Sequence, residues 1–355
     1  MLAAPGDTSR TLRRATMTPS RSVGDRWAIL AAAVLWGTTG TAATFAPRGT
    51  SSLAIGAAAM GFGAVVLVVA AGRPVLALWA DKSARVPLFV GAACVAIYPL
   101  AFYTSMAKAG VAVGVTLTIG SSPIAAAVIE RIVDGQRLSS RWAVATAVAV
   151  AGAVLLGLSG VHVGRSGAVA GVVLALVAGG CYAGYSVAAA RLVSTGTESR
   201  VAMGAMFGLA AIVLFPVLAL TGPALLSTGR GLAVTGYLAV VPMGLGYVLF
   251  GRGLRTTSAS TATAISLVEP VAAAVLAVLI IHQRLGISGW VGIVLIAASV
   301  AALARPAPSF RSSSSDGRRS SHAPNDEEPP NTRVGGTIHR PSIGHRSDSC
   351  PKHSR

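Results

Sequence analysis

Acidic side chains are scarce in this chain, 12 Asp and Glu among 355 residues, and charged residues of both signs reach only 12%. Water-soluble domains carry roughly 25%, so the shortage excludes a globule covered by solvent. Cysteine is scarce as well: the three residues, at 94, 181 and 350, have no spacing suited to a disulfide framework or a zinc site. Aromatic residues stop at 5%. No Walker loop is present, which removes the usual signature of a nucleotide-driven pump. What fills the chain instead is apolar: 53% hydrophobic residues, with 41 glycines, more than half of them set within the apolar runs. The mean hydropathy is +0.67. Small residues let helix backbones approach closely in lipid, so the composition specifies an all-α integral membrane protein.

Ten apolar stretches have about the 17–25 residues that a helix needs to cross a bilayer. They cover 27–46, 53–72, 86–106, 111–129, 142–158, 168–190, 201–221, 232–251, 258–281 and 287–304. The chain also repeats itself. Residues 121–128 read SSPIAAAV and 268–275 read VEPVAAAV, with Pro123 and Pro270 147 positions apart (270 − 123). The same offset carries Gln136-Arg137-Leu138 onto Gln283-Arg284-Leu285 and Lys108 onto Arg255. Two five-helix repeats follow, 27–158 and 168–304. Five crossings separate the two prolines, so the second repeat is expected upside down relative to the first, a recurring plan among transporters.

Basic residues give the expected orientation. If the N-terminus is inside, only Arg48, Lys108, Arg165, Arg230 and Arg284 of the 29 Lys and Arg fall outside, in keeping with the positive-inside rule. Both termini are then cytoplasmic and the membrane is the cytoplasmic one. The net charge of +17 is accounted for by short inner loops and two polar ends that meet anionic lipid, with no need for a nucleic-acid partner. Residues 1–26 and 305–355, the second rich in Ser, Pro and Arg, read as a disordered cytoplasmic head and tail. Met17 offers an alternative start, MTPSRSVGDRW.

Function has to come from polar groups inside apolar segments. Glu269 sits midway along 258–281, near the bilayer centre, where a carboxylate costs about 2.5 kcal/mol or more and marks pathways and proton relays. Pro270 follows it and removes a backbone donor. Ser260, Thr263 and Ser266 precede Glu269 at steps of three, and Thr116 and Ser122 occupy the positions of Thr263 and Glu269 in the first repeat, with Pro123 matching Pro270. Trp36 and Tyr182 hold equivalent places in the first helix of each repeat, and Tyr98, Tyr103 and Tyr247 are candidates to stack on a substrate. Thr38, Thr41 and Thr44 form a threonine ridge, and Glu130 beside Arg131 reads as a local ion pair. Gly180/Gly184 and Gly204/Gly208 read as small-xxx-small packing contacts.

Two other readings are open to these residues. Gly157-Leu158-Ser159-Gly160 matches the GxSG of intramembrane serine proteases, but a nucleophile needs a histidine within hydrogen-bond reach at depth, and this serine closes a helix at the surface. A non-transporting scaffold or receptor has no use for a midplane carboxylate or a broken helix.

The chain resembles the EamA-type carriers of the drug/metabolite transporter superfamily over roughly 27–304. The resemblance rests on Leu35-Trp36-Gly37, Ala107-Lys108-Ala109-Gly110, Ser122-Pro123, Gly251-Arg252-Gly253-Leu254-Arg255, Thr257-Ser258-Ala259 and Glu269-Pro270-Val271. It implies ten helices in two five-helix repeats, with the fourth and ninth lining a central cavity. Gln136 and Gln283 stand where that family usually has an acid, and Ala59-Met60-Gly61 where it often has an arginine. The expected function is secondary transport of a small organic solute (amino acid, metabolite or drug-like compound), in the export direction by resemblance. Proton exchange at Glu269 is the expected coupling, with neither metal nor organic cofactor.

Overall fold

The computed structural model describes residues 19–135, 139–158, 168–280, 282 and 286–304, and every regular element among them is helical. Of the head expected to be disordered, residues 19–26 are helical and open the first helix, because their backbone continues the hydrogen-bonding of the apolar run that follows. Residues 1–18, the tail from 305, the Gln136–Leu138 and Gln283–Leu285 landmarks and the Ser159-Gly160 pair lie outside the described residues. In chain order the helices of the first half are α1 (Pro19–Ala43), α2 (Ser52–Ala71), α3 (Pro74–Ala80), α4 (Arg85–Ala109), α5 (Val111–Asp134) and α6 (Ser140–Leu158). The second half holds α7 (Ala168–Ser194), α8 (Ser199–Thr221), α9 (Pro223–Leu226), α10 (Gly229–Leu238), a π-helical turn (Ala239–Leu245), α11 (Gly246–Gly253), α12 (Ala259–Ile265), α13 (Val268–Ile280) and α14 (Ile287–Ala304).

Eight runs are long and apolar enough to cross a bilayer: α2, α4, α5, α6, α7, α8, the run Gly229–Gly253 and the run Ala259–Ile280. The other two expected stretches are α1 and α14. The first has the length, 25 residues, but is diluted by Gly and Thr in its second half; the second is apolar but shorter, Ile287–Leu303. Large apolar side chains project outward all round, among them Val69, Ile212, Leu220, Leu279 and Val294. A water-soluble protein does not present such a belt; lipid requires one. The protein is a multi-pass membrane protein.

The packing between halves follows a regular scheme. α2 lies against α8 and α6 against α14. α7 packs on α4 and α5, and α1 packs in the corresponding way on α11 and on α13. Small residues set the spacing. A Cβ on Gly204 would stand 2.8 Å from Leu67 O, and one on Gly208 would stand 2.8 Å from Val68 and 3.0 Å from Trp79. The pairing expected at Gly180 is absent, since nothing approaches it within 4 Å. Two short helices were not expected: α3 and α9, each opened by a proline, cover the equivalent joint of either half.

α4 and α5 are divided by Gly110 alone, at φ 94°, a conformation that residues with a Cβ avoid. In the eighth span Pro242 has no N–H to give, and the backbone widens into the π turn Ala239–Leu245 around it. Wide turns of this kind free carbonyls, and here Pro242 O accepts a hydrogen bond from Trp36 Nε1 at 2.9 Å. That bond fixes the α1 tryptophan against the second half.

Candidate functional site

The ninth span is broken where the sequence placed its acid. α12 ends at Ile265 and α13 begins at Val268, with a turn at Ser266–Leu267 between them. The cause is local. Pro270 cannot donate to Ser266 O, four residues back, and Glu269 N takes that acceptor instead at 2.9 Å in a tighter i→i−3 turn. The break leaves Glu269 in the first turn of α13, where the helix dipole favours a negative charge.

Opposite this break stands α1. A Cβ on Gly37 would lie 2.6 Å from Ala272 Cβ and 2.9 Å from Glu269 O, so only glycine permits the two backbones to meet here. Trp36, its neighbour, is thereby held beside the Glu269 turn. Around them opens a cavity of about 570 Å³. Its inner end is aromatic: Trp36, Tyr98, Tyr182, Tyr185 and Tyr247 line it together with Glu269 and Pro270. The rings lock one another. Trp36 and Tyr247 have centroids 4.9 Å apart, Trp36 and Tyr182 6.1 Å, Tyr182 and Tyr185 5.3 Å. The hydroxyls of Tyr185 and Tyr247 are hydrogen-bonded at 3.0 Å. Five of the chain's six tyrosines, counting Tyr103, face this one space. In a chain so short of aromatics, that concentration marks the site.

Among the described residues, Glu269 is the only lining residue that is acidic or basic in the ordinary pH range, and no salt bridge involves it. Thr39 Oγ1 is a buried lining atom without a hydrogen-bond partner. The described residues contain no group of three or more His, Cys, Asp or Glu able to hold a metal.

The cavity reaches one face of the helix bundle. Its mouth is lined by Ala43 at the end of α1, Ser52 at the start of α2, Met106 late in α4, Val115 and Thr116 early in α5, and Gly157 late in α6. Beside the mouth Arg230 Nε donates to Phe45 O at 2.6 Å and Tyr237 to Thr38 at 2.9 Å. The opposite face is tied shut by polar contacts between the halves. Asp25 accepts from Arg252 and Thr256, at 3.3 and 3.1 Å. Asp134 pairs with Arg191 at 2.9 Å, and Arg141 reaches Ala302 O at 2.5 Å.

Glu130 belongs to this closed face and corrects an expectation. It makes no ion pair with Arg131. Its carboxylate, 3% exposed, accepts from the backbone N–H groups of Ala259 at 2.6 Å and Ser260 at 3.3 Å. The first amides of a helix have no partner within it, and a carboxylate from the other half supplies one, which is a better partner than a solvated arginine side chain.

Of the sequence candidates, Glu269, Pro270, Thr116, Trp36, Tyr98, Tyr103, Tyr182 and Tyr247 line the cavity. The candidate hydroxyls of the polar stripe, with Ser122 and Pro123, do not. Thr263 and Ser266 are fully buried and spend their hydroxyls on the carbonyls of Ala259 and Ala262. Ser122 is likewise buried, bonded to Ile119 O, and Pro123 beside it is buried away from the cavity. Tyr185 and Thr39 were missed, although each stands three residues after a candidate, Tyr182 and Trp36, and so shares its helix face. The threonine ridge was placed one position off, since Thr39 rather than Thr38 faces the cavity.

Apolar spans, a helix broken at an acid and an aromatic cavity open at one face define a polytopic protein built to admit a small molecule into the membrane interior. The chain belongs to the EamA-like transporter family, whose pattern it matches twice, over residues 24–158 and 169–305. It is therefore a membrane transporter. It is 36% identical over 274 residues to the uncharacterized transporter YwfM of Bacillus subtilis (strain 168), an alignment covering 76% of this chain and 89% of that one. A crystal structure described only as that of a protein superposes with a TM-score of 0.64 over 78% of this chain and 95% of its own, at 18% identity; that likeness concerns the fold alone.

Proposed function

We propose that the protein is a secondary carrier that moves a small organic solute across the cytoplasmic membrane by alternating access, in the export direction, with Glu269 exchanging a proton for the solute. In this reading residues 27–158 and 168–304 are two five-helix halves of opposite orientation, making ten crossings in all, and both termini are cytoplasmic. One observation carries it: a cavity among the apolar spans, open at one face of the bundle, in which Glu269 at a helix break is the one acid or base of the ordinary pH range among the described lining residues. The pairing of helices supports the opposed halves, because exchanging the halves returns the same scheme: α1 on α11 and α13 for α7 on α4 and α5, with α2 on α8 and α6 on α14 mapping onto themselves. With the basic residues setting the N-terminus inside, the mouth faces outward and the face tied by Asp25, Glu130 and Asp134 is cytoplasmic. The conformation is then outward-open.

Rocking of the halves would have to part those cytoplasmic ties while closing the aromatic walls over the solute. A proton on Glu269 and a solute beside it compete for one small space, which is what couples their movements. The test is an imposed pH gradient across proteoliposomes holding an entrapped pH-sensitive dye, with candidate solutes added outside. Solute-dependent proton movement is expected in the wild type and should fall to the protein-free background in Glu269→Gln. Undiminished coupled movement in that variant removes Glu269 from the mechanism.

A further inference from the structure

We infer that the cavity selects a cationic solute, a protonated amine or quaternary ammonium on an apolar ring-bearing body, with Glu269 as its counter-charge. This rests on the carrier reading and names the substrate class of the same site. Three observations on the page converge.

The first is sign. Among the described residues lining about 570 Å³ of cavity, Glu269 is the one acid or base of the ordinary pH range, and none is Lys, Arg or His. An anionic solute would meet a like charge with nothing to balance its own. A zwitterion would have its ammonium answered and its carboxylate stranded, and a buried charge without a partner is costly. Only a cation leaves both partners neutralised.

The second is the wall. Trp36, Tyr98, Tyr182 and Tyr247 present ring faces and edges at the same end of the cavity as Glu269, and Gly37 holds α1 directly against the Glu269 turn. A cation within about 6 Å of a ring centroid is attracted by the ring's quadrupole, most strongly by tryptophan and most usefully where water is excluded. Trp36 cannot turn away, because its indole N–H is engaged by Pro242 O.

The third is the remaining lining. Beyond the aromatic end it is Ala59, Met60, Ala273 and Ala277, and two buried lining hydroxyls, those of Thr39 and Tyr182, lack a hydrogen-bond partner. Such a surface takes an apolar body of drug-like size, with its polar contacts confined to Glu269 and a few hydroxyls. With an acid and, among the described lining residues, neither Lys, Arg nor His, it is not the surface for a phosphate ester.

The test uses the purified full-length protein in detergent and four probes that share one phenyl ring: phenethyltrimethylammonium (cation), phenylalanine (zwitterion), phenylpropionate (anion) and phenethyl alcohol (neutral). Binding is read by isothermal calorimetry and by quenching of tryptophan fluorescence. The cation is expected to bind at least tenfold more tightly than the other three. That preference should vanish in Glu269→Gln and return in Glu269→Asp, with each variant checked for monodispersity. Trp36→Phe should weaken the cation severalfold more than it weakens the neutral probe. Equal or tighter binding of the anion or zwitterion, a cation preference that survives Glu269→Gln, or no saturable binding of any probe to the wild type each overturns the inference. Counterflow in proteoliposomes separates this from the carrier reading. Exchange of phenylalanine or phenylpropionate in place of the cation refutes the charge selection and keeps the carrier. A folded wild type that exchanges no solute at all refutes the carrier.

Discussion

The two halves carry the same proline at the same place and do different things with it. α5 runs unbroken through Pro123, from Val111 to Asp134. The equivalent span of the second half stops and restarts just before Pro270. A proline inside a helix orphans the carbonyl four residues earlier, which here means Ile119 O and Ser266 O. In the first half the residue before the proline is Ser122, whose hydroxyl donates to Ile119 O at 2.9 Å, and the helix survives. In the second half that residue is Glu269, whose carboxylate has no proton to give when ionised. The backbone must turn so that Glu269 N satisfies Ser266 O. One residue difference thus decides that one half contributes a continuous strut and the other a hinge with an acid at its tip.

That comparison can be broken experimentally. Ser122→Glu should have the largest effect, because it puts a carboxylate at a fully buried position of α5 and removes the donor to Ile119 O. A loss of roughly 3–5 kcal/mol is expected, the scale for an uncompensated buried charge, read as failure to accumulate in the membrane or a collapsed thermal midpoint in detergent. A variant as stable as wild type would mean that α5 can open a cavity of its own.

Glu130→Ala comes next. It strips the acceptor from the amides of Ala259 and Ser260 at the start of α12, leaving buried donors unsatisfied at about 1–3 kcal/mol in total. Glu130→Gln retains one acceptor oxygen and should recover part of that loss in the same melting assay. The weakened tie at the closed face should also raise the labelling of a cysteine introduced at Thr263 by an impermeant reagent added from that side.

The smallest effect is expected from Ser122→Ala, which orphans one carbonyl within a helix that otherwise stays packed. About 1 kcal/mol, the net worth of an ordinary hydrogen bond, should appear as a modest drop in thermal midpoint with solute-driven proton movement retained. Lost transport in this variant would show that the unbroken α5 is itself part of the moving machinery.

How much of this was legible beforehand differs between fold and site. The span boundaries followed apolar length, and the duplication followed from landmarks such as Pro123 and Pro270. Glu269, Pro270, Trp36, Tyr98, Tyr182, Tyr247 and Thr116 were legible as site residues because polar or aromatic groups are conspicuous in apolar runs, and the cavity gathers all of them. Ser122, Thr263 and Ser266 were conspicuous for the same reason and turned out to serve their own helices. A hydroxyl can satisfy itself on a carbonyl three or four residues back, so its presence in a span says nothing of what it faces. Glu130 was misread because its partners, the amides at 259 and 260, lie about 130 positions away.

The amino-acid sequence alone determined that this protein lives in lipid, how its chain divides and where its one deep acid lies. Those properties follow from burial costs that act residue by residue: a long apolar run is stable only out of water, and a carboxylate within it is expensive wherever the helices go. The tertiary structure decided which side chains share a cavity, which face of the bundle it opens toward and which carboxylate ties the other face. These depend on how helices far apart in the chain rotate and press together, Gly37 on Glu269 and Glu130 on Ala259, and contacts of that kind leave no periodic mark in any single segment.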